Sequence, residues 1–150
     1  MVKKMELKVK KVREGAVIPK RATQGSAGMD LYACIEKPVT IEPHKCVQIP
    51  SGIAIELPDE NYGAFVFARS GLSRKHGIAP VNAVGVIDSD YRGEIIMGLV
   101  NHFEESYTIE PGDRVAQLVI MPVSVMNVVE VSELDETERG EGGFGSTGRN

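Results

Sequence analysis

Short runs of alternating apolar and polar residues, each cut off by a turn signal, constrain this chain more than any other feature. A two-residue period puts one face of a strand against a core and the other in water, and a helix cannot satisfy it. Ile53, Ile55 and Leu57 alternate with Ala54 and Glu56, and the run stops at Pro58, Asp59, Glu60 and Asn61. Met5, Leu7 and Val9 alternate with Glu6, Lys8 and Lys10, and Val123, Val125, Val129 and Val131 share one parity. Residues 113–121 are apolar at nearly every position except Arg114 and Gln117, the pattern of a strand covered on both faces. Pro43-His44 and Pro111-Gly112-Asp113 mark turns. Residues 70–77 alone read as helical, with Ser70 as N-cap and Gly77 as left-handed terminator. Many short strands with almost no helix predict an all-β fold: a sandwich, jelly roll or barrel.

Composition narrows the class further. A chain of 150 residues suits a single domain, and 42% hydrophobic residues can build its core. Aromatics make up only 5% and Trp is absent, so that core must be mostly Val, Ile and Leu. A net charge of -4 and a pI near 5.4 argue against a nucleic-acid surface, which needs a basic footprint. They leave room for a small phosphorylated ligand held by a few arginines. Cys34 and Cys46 have neither CxxC spacing nor a nearby His pair, which argues against structural zinc. The basic start, Met1 to Lys11, is not followed by the apolar run of a signal peptide, and no stretch is long enough to span a bilayer. The expectation is a cytoplasmic chain (nuclear also, in a eukaryote) with reduced thiols and no membrane partner.

The end of the chain differs in kind. Residues 132–138 are mostly acidic, and residues 139–148 read RGEGGFGSTG, too rich in glycine for a strand core. The expected division is a β core over 1–131 and an arm over 132–150. By composition the arm is either a disordered tail or a loop closing over phosphates and a ring, with Phe144 among Gly, Ser, Thr and Arg.

Four internal segments could carry chemistry, and each has an ordinary reading beside the functional one. Asp30, in AGMDLYA (27–33), is a strand-end residue or a metal partner. Arg69-Ser70-Gly71 precedes the helix; free amides, a hydroxyl and a guanidinium there make an anion site, although capping alone would account for Ser70. In NAVGVIDSDYRGE (82–94), Gly85 permits close approach of a ligand. Asp88 and Asp90, if extended, would point one way and Tyr91 the other, so this is either a hairpin turn with solvated carboxylates or a general base beside a metal-bound polyphosphate. Gln117 lies within an apolar strand, and its amide needs either a backbone partner or a ligand. His44, His76 and His102 lack ligand spacing.

In conjunction and in order, AGMDLYA, ARSGLSRKHG, NAVGVIDSDYRGE, PGDRVAQL and RGEGGFGSTG resemble the five motifs of the trimeric dUTPase family, over residues 27–148. Ala68 departs from the proline usual before Arg-Ser-Gly, and Met29 from the aromatic usual before Asp30; neither change removes a reacting group. The resemblance implies a jelly-roll-like fold, a homotrimer with active sites shared between subunits, and hydrolysis of dUTP to dUMP and diphosphate, which keeps uracil out of DNA and supplies dUMP for thymidylate synthesis. It implies Asp88 as the base that activates water for attack on the α-phosphorus. Mg2+ would ride on the phosphates, with Asp30 holding its water shell indirectly. Ser70, Gly71 and Gln117 would hold the α- and β-phosphates, and Arg69 would support that loop. Arg139, Ser146 and Thr147 would clamp the γ-phosphate, with Phe144 stacked on uracil and Gly145 in the same loop. Asn82 and the backbone of Gly85, Val86 and Ile87 would read uracil, and Tyr91 would exclude a 2′-hydroxyl. Thirteen residues separate Val131 from Phe144, up to about 43 Å of extended chain, against a radius of gyration near 15 Å for such a domain (roughly). An arm of that reach can serve a neighbouring subunit.

Two other readings compete. A dCTP deaminase shares the fold, but that family carries Arg-Ser-Ser where Arg69-Ser70-Gly71 stands and a catalytic Glu where Gly98 stands. A non-catalytic nucleotide-binding module would lack Asp88 or the Phe144 arm, and both are present.

Overall fold

In the computed structural model, which describes residues 5–148, the chain forms eleven strands and one helix. They are β1 (Lys8–Lys11), β2 (Met29–Tyr32), β3 (Val39–Ile41), β4 (Cys46–Pro50), β5 (Ile53–Glu56), β6 (Tyr62–Phe67), α1 (Ser70–His76), β7 (Ile78–Pro80), β8 (Gly85–Ile87), β9 (Ile96–Asn101), β10 (Tyr107–Ile109) and β11 (Arg114–Pro122). Met1–Lys4, where the basic N-terminal stretch begins, and Arg149 and Asn150, where the arm ends, lie outside the described residues. All pairings are antiparallel, in four small sheets ordered β2-β11-β6-β8, β4-β9-β7, β1-β5 and β3-β10. This is the all-β architecture expected from the alternation, in the jelly-roll-like form that the resemblance implied.

The largest sheet positions the chemistry. Its strand β11 pairs with β2 along one edge and with β6 along the other, and its Val115, Ala116 and Leu118 are all buried in the core. The core these strands enclose is aliphatic, built on Leu31, Ile41, Ile49, Ile53, Ile78, Leu99, Ile109 and Leu118, each with no exposed surface. Buried Asn101 is fully partnered. Its Nδ2 donates to Ile41 O (3.0 Å) and Glu105 O (2.7 Å), and its Oδ1 accepts from Phe103 N–H (2.9 Å).

Three local expectations need correction. Helix α1 is capped not by Ser70 but by Arg69, whose backbone is extended (φ -84°, ψ 129°); Ser70 is the first helical residue. Gly77 ends the helix in the left-handed region (φ 68°), as read from the sequence. Strand β1 begins at Lys8, so Met5 precedes it and is exposed. The valine parity after residue 122 does not make a strand. Val123 N–H still bonds Asn61 O at 2.8 Å, but Val125, Val128, Val129 and Val131 are exposed and lie in no described element. Period two is only a capacity for pairing, and within one chain this segment meets no strand edge.

Candidate active site

Register on the largest sheet gathers residues that are far apart in sequence. Gln117 on β11 stands opposite Asp30 on β2 and, on its other side, opposite Phe67 at the end of β6. The chain leaving β6 supplies Ala68 and Arg69 and then enters α1. The result is a polar cleft lined by Ser26, Gly28, Asp30, Arg69, Ser70, Gly71, Arg114 and Gln117, among others. Asp30 carries two arginines: Arg69 Nε lies 2.9 Å from Oδ1, and Arg114 Nη1 lies 3.4 Å from Oδ2. Arg69 also donates to Arg114 O at 3.0 Å, so the Arg69 loop is tied to both β2 and β11. Gln117 Nε2 donates to Ala68 O at 2.8 Å, the backbone partner that a mid-strand glutamine needs. With no side-chain cap at Arg69, the first amides of α1 and the exposed Ser70 hydroxyl face the cleft. Cationic groups and unpaired donors converge here, which is what a phosphate chain requires.

A second cleft, of about 410 Å³, opens on the other side of β6. Gly85 on β8 pairs with Val66 on β6, where an added Cβ would come within 3.1 Å of the Val66 Cβ. The wall so formed carries Asn82, Gly85, Val86, Ile87, Asp88 and Tyr91. Residues 88–91 are not extended as pictured for the functional reading. They turn, with Tyr91 N–H donating to Asp88 O at 3.2 Å, and Asp88 itself is exposed at the rim. The turn of the ordinary reading and the cleft-lining carboxylate of the functional one are therefore the same object, although the turn links β8 to β9 in different sheets and is not a hairpin. This pocket is more apolar than the first and suits a ring and a sugar.

The structure thus brings the predicted residues together in two groups, and the clefts share no lining residue. The arm joins neither. Arg139 Nε bonds Gly142 O at 2.7 Å, short turns run from Thr137 to Gly148, and Phe144 is fully exposed. Arg139, Phe144, Gly145, Ser146 and Thr147 line neither cleft.

A sequence profile described as dUTPase matches residues 14–148. The chain belongs to the dUTPase family. Similar dUTPases, named deoxyuridine 5'-triphosphate nucleotidohydrolase, include one from Idiomarina loihiensis, 52% identical over 140 residues and 93% of each chain. One from Desulfitobacterium hafniense is 50% identical over 131 residues, 87% of each chain. Among solved dUTPases, that of Staphylococcus bacteriophage 80alpha with dUPNHPP superposes at a TM-score of 0.86 with 31% identity, over 95% of this chain and 98% of the other. A mutant dUTPase of phage phi11 of S. aureus, whose structure details the coordination of a structural Mg(II) ion, superposes at 0.79 with 25% identity, over 87% and 99%.

Against that family background, four residues gain roles that sequence reasoning missed. Arg114 lines the polar cleft, but its pairing with Asp30 spans 84 positions and only β-register reveals it. Gly28 is required by Gln117: a Cβ there would lie 2.5 Å from Oε1. Gly93 lies beneath the Tyr91 phenol, where a Cβ would come within 2.3 Å of Oη. Glu94 lines the larger cleft and is bonded away from it. For Gly28 and Gly93 the only available signal was a glycine two residues from a polar motif residue, Asp30 and Tyr91 respectively.

The donor set decides what kind of metal would fit. Among the described residues no group of three or more His, Cys, Asp or Glu side chains could hold an ion. Among the described residues Asp30 is the only carboxylate that lines the polar cleft, and each of its oxygens meets an arginine. A carboxylate offers about four acceptor sites, so positions remain for water. The residues fit a cation that arrives on the phosphates and keeps its water shell, and they do not form a cage of their own.

Proposed function

We propose that this chain hydrolyses dUTP to dUMP and diphosphate, with Asp88 as the base. The observation that carries the reading is the larger cleft, where Asp88 shares one wall with Asn82, Gly85–Ile87 and Tyr91. A base, a sugar and a reacting carboxylate therefore have places side by side. Asp88 orients a water and takes its proton as the oxygen attacks the α-phosphorus; the bond from that phosphorus to the bridging oxygen breaks, and diphosphate leaves. Asn82 and the backbone of Gly85, Val86 and Ile87 match the edge of uracil, so cytosine would leave buried polar groups unpaired. Tyr91 packs under the deoxyribose and leaves no room for a 2′-hydroxyl.

Ser70, Gly71 and Gln117 hold the α- and β-phosphates, and the Asp30–Arg69–Arg114 cluster keeps that loop in place. Mg2+, when bound to the triphosphate, would neutralise its charge, and Asp30 would hold it indirectly, through water. Arg139, Ser146 and Thr147 meet the γ-phosphate, and Phe144 and Gly145 close over the ring. Because the clefts are separate and the arm is unpartnered within one chain, the reading includes a homotrimer that builds each site from several subunits. The product supplies dUMP in the cytoplasm, and low dUTP keeps uracil out of DNA.

The dCTP deaminase reading has a steric difficulty in this chain. A Cβ at Gly98 would lie 3.0 Å from Val81 Cγ1 and 3.1 Å from Gln48 Nε2, which leaves no room for a catalytic Glu without shifts. The test is diphosphate release from dUTP, dCTP, dTTP and UTP, with and without Mg2+. Release from dUTP alone, and only with Mg2+, is expected. Asp88→Asn keeps the shape and removes the proton acceptor, so dUTP should still bind while kcat falls roughly 10²–10⁴-fold. Turnover of that variant within tenfold of the parent would remove Asp88 from the role.

A further inference from the structure

The segment from Asp88 to Glu94 is closed on itself. Tyr91 Oη donates to Glu94 O at 3.0 Å, and the Arg92 guanidinium donates to Ser89 O at 2.8 Å and Tyr91 O at 3.2 Å. With Gly93 tight under the phenol, the ring and the turn form one piece. The Glu94 side chain then ties that piece to the domain. Its Oε1 accepts from Arg13 Nε at 2.6 Å and from Gly52 N–H at 2.9 Å, and the side chain is only 15% exposed. Gly52 is a fixed anchor: its φ is 73°, a Cβ there would lie 2.7 Å from both Ala16 Cβ and Cys34 Sγ, and its carbonyl accepts from Val12 N–H at 2.8 Å.

We propose that the Arg13–Glu94 pair is a positioning device for the reaction: it fixes the loop that presents Asp88 and Tyr91 by joining it to the N-terminal segment and to the turn between β4 and β5. The inference rests on the roles given above to Asp88 and Tyr91. A comparison within the chain shows what sets this pair apart. Lys8–Glu56 is as short, 2.6 Å, but both side chains are well exposed (71% and 42%) and it joins strands already paired in register. Such a surface pair fixes nothing new. Arg13–Glu94 is the less exposed pair, and it sits at the base of the Asp88–Glu94 loop: backbone bonds from Ser51 N–H to Ile95 O (3.0 Å) and from Ile95 N–H to Ile53 O (2.9 Å) hold the next residue to the same turn, and the Glu94 side chain extends that hold to the loop.

Titration of Glu94 makes the device visible. The Arg13 hydrogen bond, aided by the Gly52 amide and opposed by burial, holds the Glu94 carboxyl below the usual carboxylate range. Arg13 is the charged group facing it, with Cys34 beside Arg13; Asp88 and Tyr91 share the cleft, and Arg92 turns instead toward Glu56, 4.0 Å away. A lowered pKa means that the anchor is complete above the ordinary range and is lost as pH falls through the lowered value. Removing Arg13 returns the carboxyl upward and moves that loss to higher pH.

The experiment measures dUTP and UTP hydrolysis against pH for the full chain and for Arg13→Met, Arg13→Lys, Glu94→Gln and, as control, Lys8→Met. Arg13→Met should lower kcat roughly tenfold, further than it raises KM, because a displaced reacting group loses rate steeply. It should also narrow the preference for dUTP and shift the acid limb of kcat to higher pH. Arg13→Lys should recover most of the loss, and Lys8→Met should change none of these readouts. A wild-type kcat and acid limb in Arg13→Met would overturn the proposal, as would a kcat loss that only tracks the unfolded fraction in thermal melts. Should Arg13→Met fail to fold, Glu94→Gln decides: it keeps an acceptor for Gly52 but loses the charge that holds Arg13, so a wild-type kcat together with a wild-type preference for dUTP over UTP would overturn the proposal too. A wild-type chain that leaves dUTP intact would instead overturn the functional reading and the positioning role with it.

Discussion

Gln117 shows how a single side chain depends on a neighbour that carries no functional group. Its amide reaches Ala68 O because Gly28 offers no Cβ, and an alanine there would put a methyl 2.5 Å from Oε1. The clash falls on the far end of a flexible side chain, so the fold should survive while the carboxamide swings away. Gly28→Ala is therefore expected to lower kcat/KM for dUTP about tenfold, the equivalent of one hydrogen bond, with little change in thermal midpoint. A kcat/KM within twofold of wild type would mean that the orientation of Gln117 is immaterial to substrate. That Asp88, Tyr91, Arg69 and Gln117 line clefts was legible through the ordered motifs that carry them, since each residue taken alone has an ordinary reading as well. Arg114, Gly28 and Gly93 were not, since their importance comes from register across strands or from contact with one particular side chain.

Helix α1 and the strands around it mark what periodicity can and cannot give at the level of elements. The helix was readable from its terminator: Gly77 at φ 68° closes it, and a Cβ there would also lie 2.5 Å from Phe103 Cδ1 and 3.0 Å from the Phe103 backbone nitrogen. Both penalties act together in Gly77→Ala. A non-glycine residue in the left-handed region costs about 1–3 kcal/mol, and chemical denaturation should show a loss at the upper end of that range. A loss below half a kilocalorie would mean that the turn relaxes around the methyl. The start of the same helix misled, because Ser is a good cap by type and only the extended backbone of Arg69 shows where the helix begins. The burial of Val115, Ala116 and Leu118 in β11 was legible from an apolar run that only Gln117 interrupts after Arg114. The valines after Pro122 carry the period of a strand without its partner. Alternation reports which residues could face a core and says nothing of which chain supplies it.

At the scale of the whole molecule, the two clefts that gather the predicted residues share no lining residue, and Val128 and Phe144 are wholly exposed. Composition alone gave no hint of a trimer; the ordered motifs did, and the unpartnered arm supports it. In the proposed cyclic trimer, Asp88 and the Arg139–Gly148 arm of each site come from different subunits, and symmetry turns this into arithmetic. Neither Asp88→Asn nor a chain ending at Glu138 should then be active alone, the first lacking the base and the second lacking the arm. Mixed equally and refolded, random assembly puts about three quarters of the trimers in mixed form. Around the ring of any mixed trimer, one site in about three pairs an intact Asp88 with a donated arm. The product, 3/4 × 1/3, predicts about a quarter of wild-type dUTP hydrolysis from two inactive parents. An arm folded back on its own subunit predicts no recovery, because no single chain would hold both parts. Steady-state hydrolysis of the mixture, with each parent refolded separately and mixed trimers confirmed by mass, distinguishes the two. A mixture as inactive as its parents would rule out an arm donated between subunits.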